Sequence, residues 1–344
     1  MSSAWQEFLL EQGAGIDAGG VSDFGAAGEE LRAARAGGII APLTHLGQIA
    51  CSGEDAQSFL HGQLSNDVKQ LGAERSEYAA YCSAKGRMLA NFLLWRDEQA
   101  YCLQLARALL PAVQKRLGMF VLRARVKLTD ASETHAAMGL AGGAAEAALK
   151  ELFPALPQQP HRVVHDTANG TLIALPGARF QLVADIETAK RLWPKLAAVL
   201  RPVGPSCWRW LEIQNGLPLI EAATQEQFVP QMANMELIGA VNFQKGCYPG
   251  QEIVARTQYL GQLKRRMVLA HLEAGVAPEA GDELFSSELD GQASGMVVNA
   301  QAAPEGGYDL LAVVQRSSIA QGALHFRAAD GPVLSIRPLP YALD

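Results

Sequence analysis

The chain has no Cys-x-x-Cys pair, and its five cysteines (Cys51, Cys82, Cys102, Cys207 and Cys247) form an odd, widely spaced set. Neither a disulfide framework nor a zinc site of ordinary spacing fits that pattern, so reduced thiols are expected. No apolar stretch approaches the roughly 20 residues of a membrane span. The opening MSSAWQEFLLEQG lacks the basic region and long apolar run of a secretory signal, and a cytoplasmic location is expected. Basic residues are outnumbered, 29 against 35 acidic, and the formal charge of −6 gives no global attraction for nucleic acid or anionic lipid. The densest cationic run, GQLKRRMVL at 261–269, reads as a solvated strand edge, and neither direct nucleic-acid contact nor membrane contact is expected.

What remains is soluble-enzyme composition, 49% hydrophobic and 19% charged over 344 residues, enough for two or three domains. Trp5, Phe8 and Leu9 fall at helical spacing, with Gly13 placed to end the helix. Residues 13–38, rich in Gly and Ala, read as a mobile lead-in. Next come GQIACSG and RMLANFLLW as extended segments, and SGEDAQSFLHGQL with Ser52 and Asp55 in capping-box positions. Cys51, Cys82 and Cys102 sit in apolar, strand-like runs and are read as core. Between 135 and 205 the order strand, helix, strand, strand, helix, strand, with an Asn169-Gly170 turn, suggests a ferredoxin-like unit. SCWRWLEIQNGLPLI reads as a helix from near Ser206 ended by Gly216 and Pro218. Beyond Arg265, short apolar segments at turn-separated intervals suggest a small β-barrel.

The stretch NFQKGCYPGQEIVART carries the chemistry. An extended segment ends at a glycine turn, and Pro249 suits the first turn of a following helix with Ile253 and Val254 inward. Cys247 then lies just before a helix N-terminus, where unpaired N–H groups, the helix dipole and Lys245 would stabilise its thiolate. The same pattern admits a plainer reading, in which Gly246 and Gly250 make the turn and Cys247 fills space. No histidine lies in the motif to act as base, and His271 and His325 fall in strand-like segments as structural or exposed residues. One cysteine cannot hold a metal, so no permanent metal is expected.

Lys245-Gly246-Cys247-Tyr248, followed by Gly250-Gln251-Glu252 and Arg256, resembles the K-G-C-Y-x-G-Q-E signature of the YgfZ family of folate-binding, iron–sulfur-related proteins. FLHGQLSNDV, SAKGRML, FVPQMANM and PLPYAL resemble further segments of the same family, so the likeness covers nearly all of the chain after residue 40. It implies an α+β, three-lobed fold like the glycine-cleavage T-protein, with a ferredoxin-like unit and a C-terminal β-barrel. The expected domains are an N-terminal helix and lead-in (1–38), a central folate-binding domain (39–134 plus 206–264), the ferredoxin-like unit (135–205) and the barrel (265–344).

The resemblance also implies a tetrahydrofolate or derivative as cofactor, with Trp208 and Gln214 as contacts, and Cys247 with Lys245 as the functional centre. T-protein and many YgfZ-like proteins carry E-A-G where this chain has Gln214-Asn215-Gly216, which removes a carboxylate from the expected pterin edge. Ala90 and Asn91 stand where the T-protein strand supplies its catalytic carboxylate, which argues against aminomethyl transfer. The implied role is a monomeric accessory factor for iron–sulfur enzymes or their assembly factors, acting on tRNA modification indirectly. The alternatives are a true folate-dependent one-carbon transferase and a structural partner that retains the fold without a ligand.

Overall fold

The computed structural model describes residues 3–17, 20–259, 261, 263–286, 289, 291–321 and 323–343. Two compact units divide the chain: Met1–Gln57, Gln70–Glu77 and Leu93–Leu211 form the first, and Ser58–Lys69, Tyr78–Phe92 and Glu212–Asp344 the second. No helix among the described residues is long and apolar enough to cross a membrane.

In the first unit, a six-stranded sheet runs in the order Val163–Asp166, Gly170–Leu175, Arg179–Asp185, His135–Ala141, Ile39–Pro42, Arg201–Pro202. Its pairs are antiparallel except the last. The helix Ile186–Ala197 buries Ile186, Ala189, Leu192, Trp193 and Leu196, the i, i+3, i+4 stripe of a core-facing helix. It starts where Asp185 accepts a hydrogen bond from Thr188 N at 2.9 Å. The hairpin turn is residues 167–169, and Gly170, the first residue of the next strand, has φ +96° with a would-be Cβ 2.3 Å from Val183 O, so no side chain fits where the turn enters the strand. The ferredoxin-like alternation is present with two additions. Val163–Asp166 extends the edge, and the fully buried strand Ile39–Pro42 inserts between the first and last strands.

Two local expectations are corrected. Residues 13–38 are not a bare lead-in: they contain the helix Ala27–Ala36, whose Glu30 is 1% exposed and accepts from Phe24 N, Ala26 N and Gly204 N. Three backbone donors satisfy that buried carboxylate, which a Gly/Ala composition does not advertise. Asp55 does not close a capping box either, because its carboxylate accepts from Arg125 N at 2.7 Å, and Ser52 is the last residue of the strand Leu46–Ser52. The N-terminal helix, Ser3–Glu11, is as expected: Trp5 stacks on Phe8 and meets Trp193 edge-on, and Leu9 is fully buried.

The second unit holds an antiparallel sheet of six strands in the order Leu324–Phe326, Glu283–Ser286, Ala293–Ala302, Tyr308–Gln315, Arg265–Leu272, Leu334–Arg337. The ends of this order meet at a bridge between His325 and Val333. Alternate residues, among them Val268, Ala270, Leu272, Leu310, Ala312 and Val314, fill the interior.

Two histidines of the first unit are held neutral. The ring nitrogens of His45 are shut from solvent without a hydrogen-bond partner, and burial, with the charge of Arg209, pushes its pKa down to about 3. Burial and then Arg75 push His161 down to about 4. The unfolded chain takes up these protons near the ordinary histidine value and the folded chain does not. Their stabilisation is therefore complete above about pH 6.5 and is lost as pH falls toward the depressed values, at up to about 1.4 kcal/mol per pH unit for each. Urea midpoints should fall between pH 7 and pH 5, with a shallower slope for His45→Gln than for the wild type. Equal slopes would remove His45 from this account.

Candidate functional site

The loop before the helix Gln251–Tyr259 has no strand ladder, contrary to the extended segment expected there, and side chains hold it instead. Ser65 donates to Ala240 O at 2.6 Å and accepts from Ala80 N at 2.7 Å. Asn66 Nδ2 donates to Tyr78 O and Gly239 O, both at 2.8 Å, and Asn242 N donates to Ser65 O. The FLHGQLSNDV segment is thus the frame on which the cysteine loop is mounted.

Lys245 is 7% exposed, and its Nζ donates to His61 O and to Leu64 O, the carbonyls at the C-terminal end of the helix Ala56–Gln63. That is where a cation is favoured by orphan carbonyls and the dipole. The ammonium also lies 5.0 Å from the centre of the Tyr248 ring. The charge expected to act on the thiol is an internal cap that fastens the loop.

Pro249 does not open the helix. Tyr248, Pro249, Gly250 and Gln251 make a turn closed by Gln251 N donating to Tyr248 O at 3.2 Å, with Gly250 at φ +81°; proline at the second and glycine at the third position suit a type II turn. A Cβ on Gly250 would fall 2.4 Å from Ser83 O and 2.6 Å from Gly86 Cα. Gly86, at φ +71°, has Ile253 Cβ 2.9 Å from where its own would be. The glycines of SAKGRML and of KGCYPGQE therefore meet backbone against backbone, a contact available only without side chains. Further along, Val254 is buried and its carbonyl accepts from Gln231 Nε2, while Gln251 Nε2 donates to Lys245 O at 3.3 Å. Glu252 and Arg256 form an exposed i, i+4 pair at 2.8 Å.

Cys247 is the one exposed cysteine of the five. Burial pushes the thiols of Cys51, Cys82 and Cys207 up to about 12, and that of Cys102 higher still. Sequence reasoning missed a histidine beside the loop. A Cβ on Gly246 would lie 3.4 Å from His61 Nε2, and Asp67 Oδ1 is 3.1 Å from His61 Nδ1. Burial and then the charge of Lys245 lower the His61 pKa, against an opposing effect from Asp67. Asp67 lies within ion-pair distance of Nδ1, and Nε2 is the ring nitrogen on the side of Gly246. Both residues stand in FLHGQLSNDV, but nothing local links them to residue 247. Among the described residues no group of three or more His, Cys, Asp or Glu is placed to hold a metal ion.

The two expected pterin contacts are engaged otherwise. Trp208 is fully buried: the Arg179 guanidinium lies 4.8 Å over its ring, and a Cβ on Gly139 would fall 2.4 Å from its Cε3. Gln214 Nε2 donates to Asp309 Oδ2 at 2.9 Å. Asp309 Oδ1 in turn meets His271 Nδ1 at 2.7 Å and Arg337 Nη1 at 3.0 Å. Burial opposes protonation of His271, but its hydrogen bonds with Glu273 and Asp309 prevail and raise its pKa. A glutamate at 214 would face the Asp309 carboxylate, which accounts for the amide here. In this arrangement Trp208 is closed to a pterin, whereas Gln214 commits only its amide donor. Ala90 is buried, and Asn91 donates to Pro218 O at 2.7 Å and accepts from Ile220 N at 2.8 Å, a structural clamp.

The burial of Lys245 changes what its removal should do. Lys245→Ala loses two charge-assisted hydrogen bonds, each worth roughly 1.5–3 kcal/mol, and should lower the urea midpoint markedly. A midpoint equal to that of the wild type would return Lys245 to a purely electrostatic role.

Comparison with known proteins gives the family and the fold. The GCVT N-terminal domain family matches residues 18–171. The crystal structure of glycine cleavage system aminomethyltransferase T from Bartonella henselae superposes with a TM-score of 0.81 at 20% identity, covering 99% of this chain and 97% of that one, which establishes the T-protein-like α+β fold. The tRNA-modifying protein YgfZ of Enterobacter sp. (strain 638) and that of Shigella sonnei (strain Ss046) are each 33% identical over 294 residues, 85% of this chain and 90% of theirs. With that identity over that length, the chain belongs to the YgfZ family.

Proposed function

We propose that the protein is a cytoplasmic, monomeric accessory factor in tRNA modification, supporting the assembly or repair of iron–sulfur enzymes through the thiol of Cys247. The name of the relatives, tRNA-modifying protein, supports the process. The observation that carries the role of the thiol is the contrast among the cysteines: four are buried, and the fifth is exposed on a loop fastened by Lys245, the two glycine turns and Ser65. Such a mounting presents a reactive group while fixing its backbone, which a space-filling cysteine does not need. His61, whose Nε2 lies on the side of Gly246, is the group suited to take the thiol proton, since a nucleophilic cysteine works as the thiolate.

Iodoacetamide at neutral pH should label Cys247 first and the other four only on unfolding, and His61→Ala should slow that labelling. Cys247→Ser should change stability by no more than about 0.5 kcal/mol, as for an exposed position. It should nevertheless abolish rescue of iron–sulfur enzyme activity in cells lacking the native protein. Full rescue by the serine variant would leave Cys247 a packing residue.

A reduced folate is proposed as ligand on the strength of the family resemblance, and tRNA is affected through the client enzymes rather than by direct contact. Because Trp208 and Gln214 are engaged by Arg179 and Asp309, no step is assigned to the folate. Calorimetry with tetrahydrofolate should show saturable binding, and incubation with an aminomethylated carrier protein should give no methylene-tetrahydrofolate. Absence of binding at millimolar ligand would remove the cofactor, and turnover would make the protein a one-carbon transferase.

A further inference from the structure

Within the cationic run at 261–269, Arg266 is not on the solvated strand edge that the composition suggests. Arg266 is 6% exposed, donates to Gln231 O at 2.9 Å and pairs with Glu236, itself buried. Within the second unit these residues line a cavity of about 650 Å³, together with Lys264, Gln315 and Arg316. Of the described lining residues, three are cations (Lys264, Arg266, Arg316) and one is a carboxylate (Glu236), so the lining carries 3 − 1 = +2 in a chain whose formal charge is −6. Gln231 Oε1, on a side chain 1% exposed, and Arg266 Nε are among the buried polar atoms of the lining residues that have no hydrogen-bond partner. Buried polar atoms left in that state are costly and call for a partner.

We propose that this cavity binds a phosphate monoester carried on a polyhydroxylated body, the chemistry of a sugar phosphate. The excess of two positive charges matches a monoester, which carries about −1.5 to −2 near pH 7. Arginine and lysine together offer the planar fork and the point charge that phosphate oxygens accept. The volume is far larger than a lone phosphate and falls in the range of small-molecule sites. Among the described lining residues there is no aromatic ring and only one large apolar side chain, Leu263, so the walls provide no slot for a flat ring. The carboxamides of Gln231 and Gln315 instead suit hydroxyl groups. None of this depends on the role of Cys247.

The test is calorimetry of the full chain with ribose 5-phosphate, ribose, inorganic phosphate and adenosine monophosphate. Ribose 5-phosphate should bind saturably and at least about tenfold more tightly than ribose or phosphate alone, and more weakly as salt is raised. Equal binding of the nucleotide would identify the shared ribose phosphate as what is read, whereas binding of the nucleotide alone would overturn the assignment. Lys264→Glu, at an exposed position that should leave thermal stability unchanged, should weaken ribose 5-phosphate binding about tenfold or more. No binding by the wild type at millimolar ligand, equal binding of inorganic phosphate, or binding indifferent to Lys264→Glu would each overturn it.

Discussion

The cysteine loop has no ladder of its own, so its position rests on the contact between two turns, one containing Gly86 and the other Gly250. Both glycines have positive φ, and a side chain on either would collide with the opposite turn or the helix behind it. The close approach fixes where the helix Gln251–Tyr259 begins, and Lys245 then reaches the end of the helix Ala56–Gln63. Because Lys245 brings its charge to orphan carbonyls, the loop and the helix that carries His61 are fastened together. The exposed thiol is the residue left over when its neighbours are all committed.

The same logic accounts for three amide side chains at the 214–220 segment. Asn91 and Asn299 grip the 218–220 backbone, each using both ends of its amide: Asn91 on Pro218 O and Ile220 N, Asn299 on Leu219 N and O. A carboxylate could accept from the amide hydrogens but could not donate to the carbonyls. Gln214 is in a like position, since Asp309 already supplies the acceptor.

Much of the fold is legible because its signals are local. The stripe Trp5, Phe8, Leu9 specifies a helix, Asn169-Gly170 marks a hairpin, and short apolar segments between turns after Arg265 mark the barrel strands. Shorter or lower-contrast pieces escape: the four-residue strands Glu283–Ser286 and Leu334–Arg337, and the helix Ala27–Ala36, which has Leu31 as its single large apolar residue. Pro249 was ambiguous for a physical reason. Proline suits both the first position of a helix and the second of a turn, and the glycine after it decides only when its φ is positive.

By itself the sequence determined that residues 245–252 turn sharply into a helix and that one cysteine sits at that turn, because glycine and proline act through their own backbone torsions. It could not determine which way the charged side chains face. Lys245 is capped on carbonyls more than 180 residues earlier, His61 comes to rest beside Gly246, and Arg266 turns inward to Glu236, 30 residues away. A lysine or arginine carries the same charge on a solvated edge and in a buried pair, and only the packing of distant segments supplies the oxygen atoms that draw it inside.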